Sequence, residues 1–202
     1  MFEQKTGFWV VDQRPKETSQ MMLTEEMRTE LSSLKKKELK NFVVFGPRGI
    51  GKTLFCQAVS GFKGSVIKQV ENETNLIPNG IEPLILKGVD QLATSQTEPI
   101  LDTNQKVFIV AQDEIPDWLD KSKSFHTVQL NELMPKSQNS LKRIKHFLIN
   151  LLQRNQINFQ TSDLQFQLNI EELFDKLWPN MRQIVRQTQM RSKTGEWVSI
   201  PV

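Results

Sequence analysis

Residues 46 to 53 read GPRGIGKT and fill every fixed position of the pattern G-x-x-x-x-G-K-[ST]. Phe42-Val43-Val44-Phe45, just before it, is a short continuous apolar run, as expected of a strand buried on both faces. From Lys52 to about Ser60 the chain predicts a helix. A strand, a glycine-rich turn and a helix in that order make a phosphate-binding loop. The glycines let backbone N–H groups turn inward around phosphate oxygens, and the helix adds its positive N-terminus. The expected phosphate-binding residues are therefore Gly46, Pro47, Arg48, Gly49, Ile50, Gly51, Lys52 and Thr53. Lys52 would reach the β- and γ-phosphates of ATP as a point charge, and the Thr53 hydroxyl would ligate the Mg²⁺ that accompanies the nucleotide.

The remaining pattern predicts an α/β module followed by helices. Thr24 is a candidate N-cap for a helix running to about Lys40, with Met27, Leu31 and Leu34 at helical spacing, acids at its start and lysines at its end. Apolar runs at Val66–Val70, Leu84–Leu86, Val107–Ala111 and His126–Leu130 read as further strands. The segment between the second and third of these reads as a short polar connection, and NETNLIPNG (72–80) as loop. From Ser137 onward SLKRIKHFLINLLQRN and NIEELFDKLW are amphipathic, and WPNMRQIVRQTQM begins another helix with Pro179 near its first turn. The boundary predicted from this change runs between a nucleotide-binding domain, 1–134, and a helical lid, 135–202. The 202 residues suffice for one domain with a small appendage, and 38% hydrophobic with 24% charged residues suits a soluble globular protein. No apolar run approaches the roughly 20 residues that span a bilayer. The N-terminus lacks the features of a secretory signal, and the single cysteine, Cys56, cannot form an internal disulfide. The expectation is a cytoplasmic protein, in the host cytoplasm if viral, without membrane attachment.

The stretches FWVVDQRP, TEEMRTEL, KVFIVAQDEIPDWLDKSKSFHTVQL and FDKLWPNMRQIV stand in that order around the phosphate loop. Together they resemble replication clamp loader ATPase subunits, in particular tailed-phage clamp loader large subunits and replication factor C small subunits. The first matches the EKYRP-like opening, with Asp12-Gln13-Arg14-Pro15 standing in for it. The third matches the sensor-one strand, the run to the SRC motif and the last core strand. The fourth matches the lid helix that carries the sensor-two arginine. The resemblance implies an AAA+ module: a parallel sheet sandwiched by helices, with a small C-terminal helical lid. It also implies that Val11, Asp12, Gln13 and Met22 lie beside the adenine and that Arg182 senses the γ-phosphate. By the same resemblance, other clamp loader subunits and a sliding clamp are the expected partners, and primer–template DNA is a further candidate.

The departures fall on the catalytic parts. Reading PLIL as the Walker B strand puts Lys87 and Gly88 where a Mg²⁺-organising Asp and a water-polarising Glu are expected. Lysine there can pair with phosphate in place of the ion but cannot activate water. Losing a positioned base typically costs about 10²–10⁴-fold in rate. Asp90 aligns with a less critical loop acid. A second reading takes Asp113 and Glu114, behind VFIV, as the acidic pair and candidate catalytic residues of an active ATPase of helicase-loader or initiator type. In the first reading Gln112 or Asp113 is the sensor-one equivalent. The SRC position reads Ser122-Lys123-Ser124, and lysine lacks the planar fork of an arginine finger. The sequence stops soon after Arg182 without a collar, so a reduced subunit is the expectation. Among weaker signals, LKKKELK (34–40) is a helix end or a DNA-backbone contact. Trp197 stands out as a candidate interface anchor, whereas burial accounts equally well for Trp118 and Trp178.

Overall fold

The structure, a computed structural model, describes residues 6–36, 41–62, 65–70, 82–92, 94–120, 125–195 and 197. In chain order its elements are α1 (Trp9–Asp12), α2 (Glu25–Lys36), β1 (Phe42–Phe45), α3 (Lys52–Ser60), β2 (Val66–Gln69), β3 (Leu84–Lys87), α4 (Thr94–Leu101), β4 (Val107–Val110), α5 (Asp117–Asp120), β5 (His126–Gln129), α6 (Gln138–Arg154), α7 (Leu164–Leu177) and α8 (Met181–Thr194). They divide into two compact units, Glu25–Leu133 and Met1–Thr24 with Met134–Val202. The N-terminal 24 residues thus belong with the C-terminal helices, not with the sheet.

In the first unit the described strands form one parallel sheet in the order β2-β3-β4-β1-β5. The β1 strand is internal, between β4 and β5, so its phosphate loop leaves the sheet's C-terminal edge between two neighbours. Alternation sorts the side chains into two layers. Val43, Leu84, Leu86, Val107 and Ile109 pack with Ile100 of α4, Leu119 of α5 and Phe125. Phe42, Val44, Ile85 and Phe108 therefore face the other way, with the Phe42 and Phe108 ring centroids 4.3 Å apart. There α3 lies against β1, β3 and β4, and α2 packs on α3. The buried side of α2 is the predicted Met27, Leu31 and Leu34 stripe, and that of α3 includes Phe55, Cys56 and Ala58. Fully burying side chains of this kind contributes about 1.5–3 kcal/mol each.

One element differs from the sequence reading. Residues 94–101 form a helix, not a polar connection, although Pro99 removes one of its backbone donors. The fully buried Ile100 ties α4 to the sheet, and tertiary packing outweighs local propensity. The stretches 72–80, 37–40 and Ser122-Lys123-Ser124 lie outside the described residues.

In the second unit each long helix starts on a side-chain cap. Ser137 accepts from Ser140 N–H before α6, Asp163 from Gln165 N–H before α7, and Asn180 from Gln183 N–H before α8. Pro179, expected near the first turn of α8, stands outside it behind a cis peptide bond, because Asn180 takes the cap. The α7 helix begins at Leu164, earlier than the sequence reading placed it. The opening segment contains the single helical turn α1, which packs on α8. There Gln189 is the clasp: its Oε1 accepts from Trp9 N–H and its Nε2 donates to the Gly7 carbonyl. Trp197 is no exposed anchor. It is buried, its ring 5.7 Å from Phe166, and its indole N–H donates to the Thr188 carbonyl.

Candidate phosphate-binding site

Between β1 and α3 the loop turns through Gly46, Gly49 and Gly51, all at positive φ. Gly46 is closely enclosed. A Cβ there would stand 2.9 Å from Asn131 Oδ1 and 3.0 Å from Ile50 Cδ1, so only glycine fits both the space and the conformation. Ile50 is itself buried and pins the loop's far side. Lys52 opens α3 with its ammonium folded under the loop, donating to the carbonyls of Gly46 and of Pro47. Burial of that charge is tolerated because carbonyl oxygens meet it. Thr53 follows and is half-buried.

The neighbouring strand braces the loop. Past β4, the Gln112 carbonyl accepts from Gly46 N–H at 2.8 Å, and its side-chain oxygen accepts from Arg48 Nε at 3.3 Å. Gln112 N–H in turn donates to Asp90 Oδ1 at 3.3 Å. Of the two sensor-one candidates, Gln112 is thus the one on the loop. Asp113 and Glu114 are exposed, and among the described residues neither hydrogen-bonds the loop. Asn131, two residues past the end of β5, lies against Gly46 from the other side. No motif announced it; its position beyond Leu130 was the available signal.

Next to β4, β3 ends in Lys87, with Gly88 at φ 74 starting the short 3-10 turn Val89–Gln91. Thr53 could offer a hydroxyl to a metal ion carried by a nucleotide. The end of β3 offers an ammonium and no carboxylate, and the first acid after it, Asp90, is on Gln112 N–H. Among the described residues the loop's own donor for Mg²⁺ is Thr53, and β3 brings no carboxylate to this edge, so the metal's usual carboxylate partner on that strand is missing from the fit.

The other predicted site residues belong to the helical unit. Val11 is exposed on α1. The Asp12 carboxylate accepts from Thr6 N–H, the Thr6 hydroxyl and Gly7 N–H, which ties down the N-terminal turn. Gln13 Nε2 donates to Asn155 Oδ1 at 3.4 Å, and Met22 is buried. Arg182 lies exposed in the first turn of α8. Cys56 is fully buried, and burial pushes its thiol far above the usual range, so it is packing and not a nucleophile.

No family model and no curated protein sequence matches the chain. Among solved structures it is similar to domain III from the Thermotoga maritima replication initiation protein DnaA, with a TM-score of 0.56 and 12% identity over 90% of each chain. The chain has the AAA+ fold. That fold is the five-stranded parallel sheet flanked by helices with a helical C-terminal region. Among the described residues no helix is long and apolar enough to cross a membrane.

Proposed function

We propose that this chain is an ATP-binding AAA+ subunit that acts in DNA replication, resembles clamp loader subunits, and holds ATP far better than it hydrolyses it. The observation that carries this reading is the pairing of a complete phosphate loop with Lys87 at the end of β3. Glycines at positive φ and the Lys52 ammonium suit an anionic polyphosphate. The β3 strand is separated from β1 by β4, the place the clamp-loader reading gives to the Walker B strand, and it delivers a cation where a water-activating acid is needed. In this reading Thr53 is the candidate Mg²⁺ ligand. Val11, Asp12, Gln13 and Met22 take the adenine side, and Arg182 senses the γ-phosphate. Partners are other loader subunits, a sliding clamp and primer–template DNA, all from the family resemblance.

A thermal shift with ATP tests the reading. At 100 times its Kd, ATP should add about 2.7 kcal/mol of stability. Lys52→Ala should abolish that gain. An unchanged melting temperature for the wild-type protein would refute it.

The likeness to a replication initiation protein favours a second reading, an active ATPase of initiator or helicase-loader type that uses Asp113 and Glu114. Phosphate release separates the two. Turnover that is lost on Glu114→Ala favours the second, whereas negligible release from a protein saturated with ATP favours the first.

A further inference from the structure

Lys87 holds more than a vacated catalytic position. Its Cα pairs in register with Val110, which pairs with Val44 one residue before β1 ends. Leu84 and Leu86 face the α4 and α5 layer, so alternation turns Lys87, with Ile85, to the opposite face. That is the face covered by α3, whose first residues, Lys52 and Thr53, close the phosphate loop. Lys87 is half-buried at the C-terminal edge of the sheet, about 10 Å of backbone spacing from β1 across β4. Among the described residues no acid pairs with it; the adjacent Asp90 is on Gln112 N–H. A lysine's four-carbon stem and compact charge suit it to reach a phosphate from there. A divalent ion in the same place would meet a like charge, and β3 ends without a carboxylate to hold it.

We infer that Lys87 does the electrostatic work of the divalent cation, so that this site binds nucleoside triphosphate without requiring Mg²⁺. The inference rests on the ATP-binding reading above and adds a specificity to it: free triphosphate is a full ligand. Arg48 and Lys52 on the loop and Lys87 on β3 together offset the charge that the metal neutralises in a carboxylate-bearing site.

Calorimetric titration of the full chain with ATP, once in excess Mg²⁺ and once in excess EDTA, decides the matter. The wild-type Kd should differ by no more than about threefold between the two buffers, while Lys87→Met should weaken binding in EDTA by about tenfold or more. Lys87→Asp should restore metal dependence, binding ATP at least about tenfold tighter with Mg²⁺ than without. Wild-type binding that needs Mg²⁺ overturns the inference and leaves the ATP reading standing. No binding in either buffer overturns both. If a variant fails to fold by circular dichroism, the two wild-type titrations decide alone.

Discussion

The backbone carbonyl of Gln112 accepts a hydrogen bond from Gly46 N–H at 2.8 Å, so the end of β4 is fastened to the start of the phosphate loop. The same residue reaches Arg48 with its side chain. The first bond survives any substitution with a normal backbone and the second does not. Gln112→Ala should therefore cost about 1 kcal/mol or less, since both side chains are exposed. Urea unfolding at unchanged m-value measures this, and a loss of several kcal/mol would show that the side chain holds the loop as well.

Gly46→Ala should do far more damage. It forces a Cβ against Asn131 and Ile50 at φ +133. The backbone strain alone is worth about 1–3 kcal/mol. Adding Asn131→Ala should relieve the collision with the amide but not the strain, so the double variant should recover part of the loss. A double-mutant cycle with no coupling would contradict the contact.

Trp197→Ala should destabilise the helical unit by about 3–5 kcal/mol, because the indole is buried against Phe166 and its N–H is satisfied by Thr188. Thermal unfolding followed by far-UV circular dichroism is the measure. A change within 0.5 kcal/mol, roughly what a surface site gives, would place the ring outside the core.

Glu172 supplies a pH signature. Its carboxylate accepts from Lys176 Nζ and Arg191 Nη2, and these bonds, Lys176 first, hold its pKa down to about 2 from an ordinary 4.5. A depressed folded-state value means stability that is complete above about pH 4.5 and fades as pH falls toward 2. With the carboxylate 42% exposed, solvent and salt damp the effect. Glu172→Gln should thus be less stable than wild type at pH 7, and the two unfolding curves should converge toward pH 2. A gap that stays constant with pH would show that the ion pairs are not its cause.

Much of this architecture could be read from residue pattern, for identifiable reasons. The strand Phe42–Phe45 and the helix Lys52–Ser60 sit where the phosphate-loop motif demands them, and Met27, Leu31 and Leu34 mark one face of α2 by spacing alone. The α4 helix escaped because Pro99 and a polar start conceal it; only Ile100 meeting the sheet explains it. Trp197 reads from the sequence as a candidate interface anchor because its partners, Phe166 and Thr188, come from α7 and α8 and not from its own neighbourhood. Within the site the loop residues were legible, being a local motif. The contacts of Asn131 and Gln112 with Gly46 were not, since each depends on strand register between segments far apart in the chain.

The fate of bound nucleotide tests the central claim most directly. The protein would be saturated with ATP labelled at the γ-phosphate, freed of unbound nucleotide, and sampled over hours for intact ATP, ADP and released phosphate. A phosphate loop without an acid at the end of β3 predicts that the label stays on the protein as intact ATP, and that Lys52→Ala retains none. Recovery of the bound nucleotide as ADP with free phosphate, or retention of no nucleotide by the wild-type chain, would contradict it.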